Sequence, residues 1–438
     1  MSYLKRNIDT CLQEWKNAES RKPLLLRGAR QVGKSSAVRE LSKSFDNFLE
    51  INFENKDNTI AKKIFERHSN PNLICDELSA LYEQPIIAGK TLLFLDEIQS
   101  CADAISALRY FYEQMPELHV VAAGSLLEFA LQEIPSYAVG RVRSMYMYPF
   151  SFEEFLMAMK RDILLEKLKT ATPDNPLSDE IHKKLKELFL RFIVIGGMPE
   201  VLAKYAAGGS LLECQNILDE LTETLFNDFA KYKQRVPAIR LEETFSAIIA
   251  QTGQKFTYSK VATTANHAQL KESIELLKMA GLVYDATHTS SNGLPLASET
   301  NPRYRKLMIF DTGIYQRFLR LNLTQLLLDE KIEQINKGAL AEMFVGTELV
   351  KSQNNRLPAA LYYWQREKDG STAEVDYVIQ QGQNIVPVEV KAGTKGSMQS
   401  LFIFLNEKQR SYGIRCSMEN FGEFQNIKIY PLYASGKL

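Results

Sequence analysis

The chain has 438 residues, too many for one ordinary core, and at roughly 150 residues per domain it predicts about three domains. Hydrophobic residues make up 45% and charged residues 24%, with 22 Gly and 15 Pro, which excludes a disordered or fibrous chain. Lysine plus arginine and aspartate plus glutamate balance at 53 each, so no overall field gathers nucleic acid or anionic lipid, and such a contact needs a local patch.

The opening Met1-Ser-Tyr-Leu-Lys-Arg-Asn-Ile has no apolar run behind its basic residues, and no later stretch approaches the 18 or so apolar residues of a membrane span. A cytoplasmic protein without membrane contact is the expectation. Cys11, Cys75, Cys101, Cys214 and Cys416 are scattered and lack any C-x-x-C pair, and the five histidines show no zinc spacing. Free thiols and no structural metal site follow.

Over 1–150, short apolar runs alternate with amphipathic helical patterns, the rhythm of a parallel sheet covered on both faces. The predicted strands are Leu24–Leu26, Phe48–Phe53, Thr91–Leu95 and Val120–Ala123. Gly28, Ala29, Arg30, Gln31, Val32, Gly33, Lys34 and Ser35 match G-x-x-x-x-G-K-[ST], directly after the first strand and opening a helix through Ser36, Ala37, Val38 and Leu41. That context is the one a phosphate-binding loop requires: glycines let backbone N–H groups converge on phosphate oxygens, Lys34 adds a charge, and Ser35 holds Mg²⁺ at a helix N-terminus. ATP and Mg²⁺ are the expected ligands.

The third strand ends in Asp96-Glu97, which places one carboxylate for the metal and a second for the attacking water. The fourth ends in Gly124-Ser125, where Ser125 either orients that water or sits in an ordinary turn. Gly140-Arg141-Val-Arg143 follows. Arg141 either reaches a γ-phosphate, in its own subunit or a neighbour's, or is a surface arginine. An arginine completing a neighbour's site would make ATP-dependent homo-oligomers.

From 151 to 235 the period turns helical, with Phe152, Phe155, Leu156, Leu185, Leu188 and Phe192 at three- and four-residue steps. In the segment 236–330, Phe256–Ala262 reads as a short helix, Ala265–Ala268 as a turn and Leu270–Met279 as a second helix. Gly281–Tyr284 and Tyr304–Phe310 then form a wing. Lys271 and Lys278 are offset by Glu272 and Glu275, which favours a structural or partner-binding winged helix over a base-reading one.

The segment 336–438 predicts a helix, three strands, a helix and two strands. Its first helix carries Glu342 at the edge of an apolar face. Ala373-Glu-Val-Asp376-Tyr-Val-Ile379 and Val386-Pro-Val-Glu389-Val-Lys391 read as a hairpin. Side chains alternate along a strand, so Glu389 and Lys391 share a face that Asp376 can join. Two converging carboxylates beside a lysine suit a Mg²⁺ site with a cation for water or phosphate; the bland alternative is a solvated strand face with a cross-strand charge pair.

The phosphate loop, Leu93–Gln99, Gly124-Ser125, Gly140-Arg141, Pro149–Phe155 and Gly196-Gly-Met-Pro-Glu200 together resemble the AAA-type ATPases of bacteria and archaea that carry a C-terminal domain of unknown function. In that family the loop more often reads Gly-Pro-Arg-Gln-Val-Gly-Lys-Thr, so Ala29 and Ser35 depart from it while preserving phosphate and metal chemistry. The C-terminal pattern resembles the PD-(D/E)xK nuclease superfamily, whose acidic helix residue, strand aspartate and E-x-K map to Glu342, Asp376, Glu389 and Lys391. The resemblance implies an α/β fold with a P-loop ATPase core, a helical and winged-helix middle, and a restriction-endonuclease-like end. Two functions are expected of such a chain: an ATPase controlling a Mg²⁺ nuclease that contacts DNA or RNA through its C-terminal half, or a regulatory ATPase switch whose C-terminal domains only bind partners.

Overall fold

The computed structural model describes residues 3–124, 127–133, 140–230, 235–322, 337–366, 373–394 and 396–438. The chain divides into two compact units, the first reaching to Tyr148 and including Met279–Gly281 and Asn354–Pro358, the second holding the rest.

The first unit is built on a parallel sheet of β1 (Leu24–Arg27), β2 (Asn47–Asn52), β3 (Thr91–Asp96), β4 (His119–Ala123) and β5 (Arg143–Tyr146), in the order β2-β3-β4-β1-β5. β1, β3 and β4 are buried along their whole length, which is why their sequences are unbroken apolar runs rather than alternating ones. Leu25, Ile51, Leu93, Leu95 and Val120 face a core shared with helices Thr59–Arg67, Pro71–Tyr82 and Ala102–Gln114. Each fully buried leucine or valine there contributes about 2 kcal/mol. Because all five strands run the same way, their carboxyl ends collect at one edge, where Arg27 leads into the loop at Gly28 and Asp96 ends β3.

In the second unit, helices Phe152–Ala158, Asp162–Thr170, Asp179–Ile195, Pro199–Ala206, Leu211–Phe229 and Ala238–Ala250 precede a mixed sheet. Its strands are β6 (Val283–Thr289), β7 (Thr300–Ile309), β8 (Leu361–Gln365), β9 (Glu374–Gln381), β10 (Asn384–Val390), β11 (Gly413–Ser417), β12 (Gly422–Phe424) and β13 (Ile427–Pro431), in the order β12-β13-β11-β10-β9-β8-β6-β7. The hairpin expected as a separate wing is therefore part of the C-terminal sheet, joined to it by parallel pairing of β6 with β8 (Ala286 opposite Leu361).

Phe256–Ala262 shrinks to a single 3-10 turn, Tyr258–Lys260. The backbone N–H of Phe256 bonds to the carbonyl of Arg305, 2.8 Å away, beside the bridge of Lys255 with Lys306, so the segment enters this turn as extended chain. The expected second helix forms over His267–Met279.

Two motifs that contributed to the family resemblance have structural explanations within this unit. Ser151 and Glu154 form a reciprocal capping box at the start of helix Phe152–Ala158, a device that stabilises a helix by about 1 kcal/mol. Glu348, from helix Lys337–Ser352, accepts the Phe152 N–H at 3.0 Å and pairs with Lys351. At Gly196-Gly197, the fully buried Asp311 accepts the Gly197 N–H at 2.6 Å, and a Cβ on Gly196 would stand 2.3 Å from the Asp311 carboxylate.

Candidate nucleotide site and a C-terminal carboxylate cluster

The loop between β1 and helix Lys34–Ser42 owes its shape to backbone that only small or unstrained residues tolerate. Gly28 has φ +138°, and a Cβ there would meet the Met147 carbonyl oxygen at 2.1 Å; Gly33 has φ +96°, and Gln31 takes the same left-handed region. Arg6 braces the loop from the N-terminal segment, donating to the carbonyls of Val32 at 3.2 Å and Tyr148 at 2.8 Å. Ala29 and Val32 are buried, Arg30 is half-buried, and Gln31 and Ser36 are more open to solvent.

Lys34 turns back into the loop, its Nζ donating to the carbonyls of Gly28 at 2.9 Å and Ala29 at 2.8 Å. Burial pushes this ammonium down to about 8, against the opposing pull of Glu97 and Asp96. One strand, β4, separates β1 from β3, yet the Ser35 hydroxyl reaches across to donate to Asp96 Oδ2 at 3.0 Å. Asp96 is buried and its carboxyl is raised above the usual range by that burial, with the Ser35 hydrogen bond acting against it. Asn52, at the end of β2, stands 3.4 Å from the same oxygen. Lys34 and Asp96 are thus both charged groups held where solvation is poor, and an anion beside the first and a cation beside the second would relieve each.

Glu97 has a left-handed backbone, φ +49°, a conformation that costs a non-glycine residue about 1 kcal/mol or more and persists where function uses it. Gln99 donates to its Oε2 at 2.6 Å. Ser125 lies outside the described residues.

Arg141 is placed away from this edge. Arg143 opens β5 opposite Leu24, the first residue of the parallel β1, and Lys22 holds the Gly140 carbonyl at 2.5 Å. Gly140 and Arg141 therefore sit at the amino ends of the strands, while the loop leaves the carboxyl ends. Arg141 pairs instead with Glu113 at 2.6 Å. The reading in which it reaches the γ-phosphate of its own subunit is corrected by this topology, since β1 itself lies between the two.

In the second unit, the residues singled out in the C-terminal half do meet, with an unexpected cation among them. The β9–β10 register ends with Val388 opposite Tyr377, which puts Glu389 beside Asp376 on one face, and Asp376 Oδ2 accepts the Val390 N–H at 2.8 Å. Lys391 pairs with Glu389 Oε1 at 2.6 Å. Lys306, from β7, brings its Nζ within 2.8 Å of Glu342, 2.5 Å of Glu374 and 3.4 Å of Asp376. Its partner on β6 is Ala286, and its ammonium lies over the Tyr363 ring at 5.3 Å. The Lys306 side chain is only 1% exposed; burial alone would lower it, but Glu342, Asp376 and Glu374 together hold it well above the usual lysine range. Burial raises Glu342 and Glu389 to about 7 each, partly countered by Lys306 in the first case and Lys391 in the second.

The three carboxylates expected around Mg²⁺, Glu342, Asp376 and Glu389, do not fit that metal in this arrangement. The ammonium of Lys306 bridges Glu342 and Asp376, and Lys391 claims an oxygen of Glu389. Among the described residues no group of three or more His, Cys, Asp or Glu is disposed to hold a metal ion. In this arrangement the expected ligands form an internal ion-pair network, with Lys306 and Lys391 on oxygens that a metal would need.

The sequence reading missed Lys306, Glu374, Asn52, Arg6 and Gln99. The signal for Lys306 was present: Lys306, Met308 and Phe310 alternate on one strand face, and a lysine in an apolar alternation needs a buried counter-charge. The five cysteines are free thiols, four of them buried, and no helix among the described residues is long and apolar enough to cross a membrane.

Comparison with known proteins divides the chain in three. Residues 20–156 match the family model of an AAA domain, 186–325 match a domain of unknown function (DUF8612), and 337–434 match a second (DUF4143). No curated protein matches the sequence. Among solved structures, the Walker-type ATPase paby2304 of Pyrococcus abyssi is similar at 16% identity and a TM-score of 0.47, covering 73% of this chain and 96% of that one. The Aeropyrum pernix Orc1 protein in complex with DNA matches at 13% identity and a TM-score of 0.24, covering 72% and 90%. The STAND ATPase PH0952 of Pyrococcus horikoshii, which carries a tetratricopeptide repeat sensor, matches at 12% identity and a TM-score of 0.27, covering 81% and 46%. With its phosphate loop, acidic strand end and parallel sheet, the N-terminal segment is similar to the AAA-type ATPases.

Proposed function

We propose that the chain is a regulatory ATPase: the first unit binds and hydrolyses Mg-ATP, and the second is a module that binds a partner without cleaving it. The observation that carries the ATPase reading is the contact of Ser35 with Asp96 at 3.0 Å beside a buried Lys34. Backbone N–H groups from Gly28 to Ser35 and the Lys34 ammonium would hold the phosphates, and Ser35 and Asp96 would hold Mg²⁺. The metal, when bound, supplies charge neutralisation for the transferred phosphoryl group. Glu97 accepts the proton of the attacking water, and Asn52 keeps Asp96 turned toward Ser35. Arg141 serves, on this reading, only a neighbouring subunit, if ATP brings subunits together.

The non-cleaving reading of the second unit is favoured by Lys306, whose buried ammonium occupies oxygens of Glu342 and Asp376 that a nuclease would turn to Mg²⁺. The helix His267–Met279 supports it as well: Lys278 is tied to Asp285 and Glu275, and Glu275 also holds Arg305 at 2.7 Å. These cations are committed within the fold rather than offered to a nucleic-acid backbone.

The test has two arms on the full chain. ATP binding and phosphate release are measured for the native protein, Lys34→Ala and Glu97→Gln; binding should be lost in the first, and kept with slow turnover in the second. Unaltered affinity in Lys34→Ala would remove the loop from the site. Cleavage of single- and double-stranded DNA and RNA is assayed with Mg²⁺ or Mn²⁺, with and without ATP. No cleavage is expected, and cleavage abolished by Asp376→Ala would restore the nuclease reading.

A further inference from the structure

The residue after the acidic strand end that neither the phosphate chemistry nor the core explains is Gln99. It lies in the short turn Ile98–Ser100, directly after the strained Glu97. Its amide nitrogen donates to Glu97 Oε2 at 2.6 Å. The other end of the same amide, Oε1, is buried and has no hydrogen-bond partner among the described residues. A carboxylate only accepts hydrogen bonds, so Glu97 fixes which end of the amide faces it, and the carbonyl end is driven inward despite lacking a partner. Leaving a buried acceptor unmet is unfavourable, and such exceptions call for a reason.

Gly124 supplies the second half of the arrangement. A Cβ there would stand 1.9 Å from Gln99 Oε1 and 3.1 Å from its Cδ. Gly124 carries no left-handed φ to require a glycine; the requirement comes from the Gln99 side chain lying against the backbone at the end of β4. The Gly-Ser pair that closes β4 is thereby explained at its first position by Gln99.

We propose that Gln99 is a positioning residue for the general base: its hydrogen bond to Oε2 fixes the orientation in which the Glu97 carboxylate meets the attacking water, and Gly124 is the gap that lets it do so. The inference rests on the ATPase reading above. A neutral amide suits this task better than a cation, since it orients the carboxylate without forming an ion pair that would weaken it as a proton acceptor. Among the described residues Gln99 hydrogen-bonds to no phosphate-binding residue of the loop, so its removal acts on turnover and not on nucleotide affinity.

The experiment compares native protein, Gln99→Met, Gly124→Ala and Gln99→Met/Gly124→Ala, with each variant's fold checked by its thermal transition. Gln99→Met keeps the length and volume of the side chain and removes the donor. The expected result is a fall in kcat of about tenfold or more, typical of lost orientation of a catalytic group, with KM and directly measured ATP affinity within about twofold of native. Gly124→Ala should lower kcat similarly, and the double variant should be no worse than either single one, because both break the same contact. In a Glu97→Gln background, Gln99→Met should add nothing. A native kcat in Gln99→Met, or a loss that appears in ATP affinity, would overturn the proposal while leaving the ATPase reading intact. Absence of Lys34-dependent turnover in the native chain would overturn both. If Gln99→Met does not fold, Gly124→Ala alone decides by the same split between kcat and affinity.

Discussion

The Nζ of Lys306 lies 2.8 Å from Oε1 of Glu342, a pair in which the lysine side chain is 1% and the glutamate side chain 11% exposed. Thirty-six residues of chain separate the two, and the pair fastens strand β7 to helix Lys337–Ser352. It decides the chemistry of the whole C-terminal cluster. Where Glu342, Asp376 and Glu389 alone would attract a divalent cation, the single charge of Lys306 is already shared among Glu342, Glu374 and Asp376.

Removing that cation leaves Glu342, Glu374 and Asp376 facing one another. Lys306→Met should destabilise the second unit by about 3–5 kcal/mol, the usual consequence of stripping one partner from a buried ion pair. Glu342→Gln in the same chain should recover part of the loss, since it removes one of the orphaned charges. Urea unfolding of the single and double variants beside the native protein measures both effects. A Lys306→Met protein as stable as the native one would show that the cluster relaxes or hydrates freely.

The same cluster sets a pH dependence. Glu342 and Glu389 are raised to about 7 in the folded chain from an ordinary value of 4.5, so between these values the folded state binds more protons than the unfolded one. Their contribution is fully present below about pH 4.5 and is lost as the pH rises through 7. Each group can contribute a slope of up to about 1.4 kcal/mol per pH unit, and the coupled cluster titrates as a set rather than singly. The melting temperature should therefore fall between about pH 4.5 and pH 7 and level off above, and Glu342→Gln should flatten the fall. A melting temperature that climbs over that range would contradict the assignment.

What the sequence made legible was chemistry carried by neighbours along the chain. Gly28 to Ser35 after an apolar strand, Asp96-Glu97 at the end of another, and Asp376 facing Glu389 across a hairpin all follow from local spacing and the two-residue period of a strand. What stayed hidden depends on strand order. Arg141 is close to the loop only if β5 enters the sheet the other way; the parallel register of Arg143 with Leu24 puts it at the far edge. Lys306 meets Asp376, seventy residues on, because the wing hairpin joins the C-terminal sheet through β6 and β8, and no periodicity in either segment states that pairing. Gln99 follows the acidic pair in sequence, but its meaning lies in Gly124, on the next strand over.

Gly28 offers a test of the loop that leaves every charged group in place. With φ at +138° and the Met147 carbonyl oxygen 2.1 Å from where a Cβ would stand, Gly28→Ala must move either the loop or the segment after β5. Loss of ATP affinity by about tenfold or more is expected, because the backbone N–H groups no longer converge. Isothermal titration with ATP and Mg²⁺ measures it, alongside the melting temperature. Affinity close to native would show that the loop tolerates a side chain and that nucleotide binding does not depend on this close approach.

Asp311 and the Gly196-Gly197 turn, part of the family resemblance, are held together by packing. The fully buried carboxylate accepts the Gly197 N–H at 2.6 Å and the Ile314 N–H at 3.0 Å, capping helix Thr312–Phe318 while holding the Gly196-Gly197 turn. Burial raises its carboxyl, and these backbone donors act in the opposite direction. Asp311→Ala would leave both donors buried without an acceptor, at about 1–3 kcal/mol each, so a loss of about 2–5 kcal/mol is expected. Asp311→Asn should lose less, since its single carbonyl oxygen can still accept one of the two N–H groups while its NH₂ opposes the other. Gly196→Ala should fall in the same range as Asp311→Ala, because its Cβ would stand 2.3 Å from the carboxylate at a φ of +75°, and the double variant should cost less than the sum. ATP affinity, which belongs to residues of the other unit, should be unchanged in all of them below the unfolding transition. Urea unfolding combined with ATP titration reads both quantities. Stability within about 0.5 kcal/mol of native in Asp311→Ala, the range of an ordinary surface change, together with lost ATP turnover, would move Gly196-Gly197 from the packing of the second unit to the catalytic cycle.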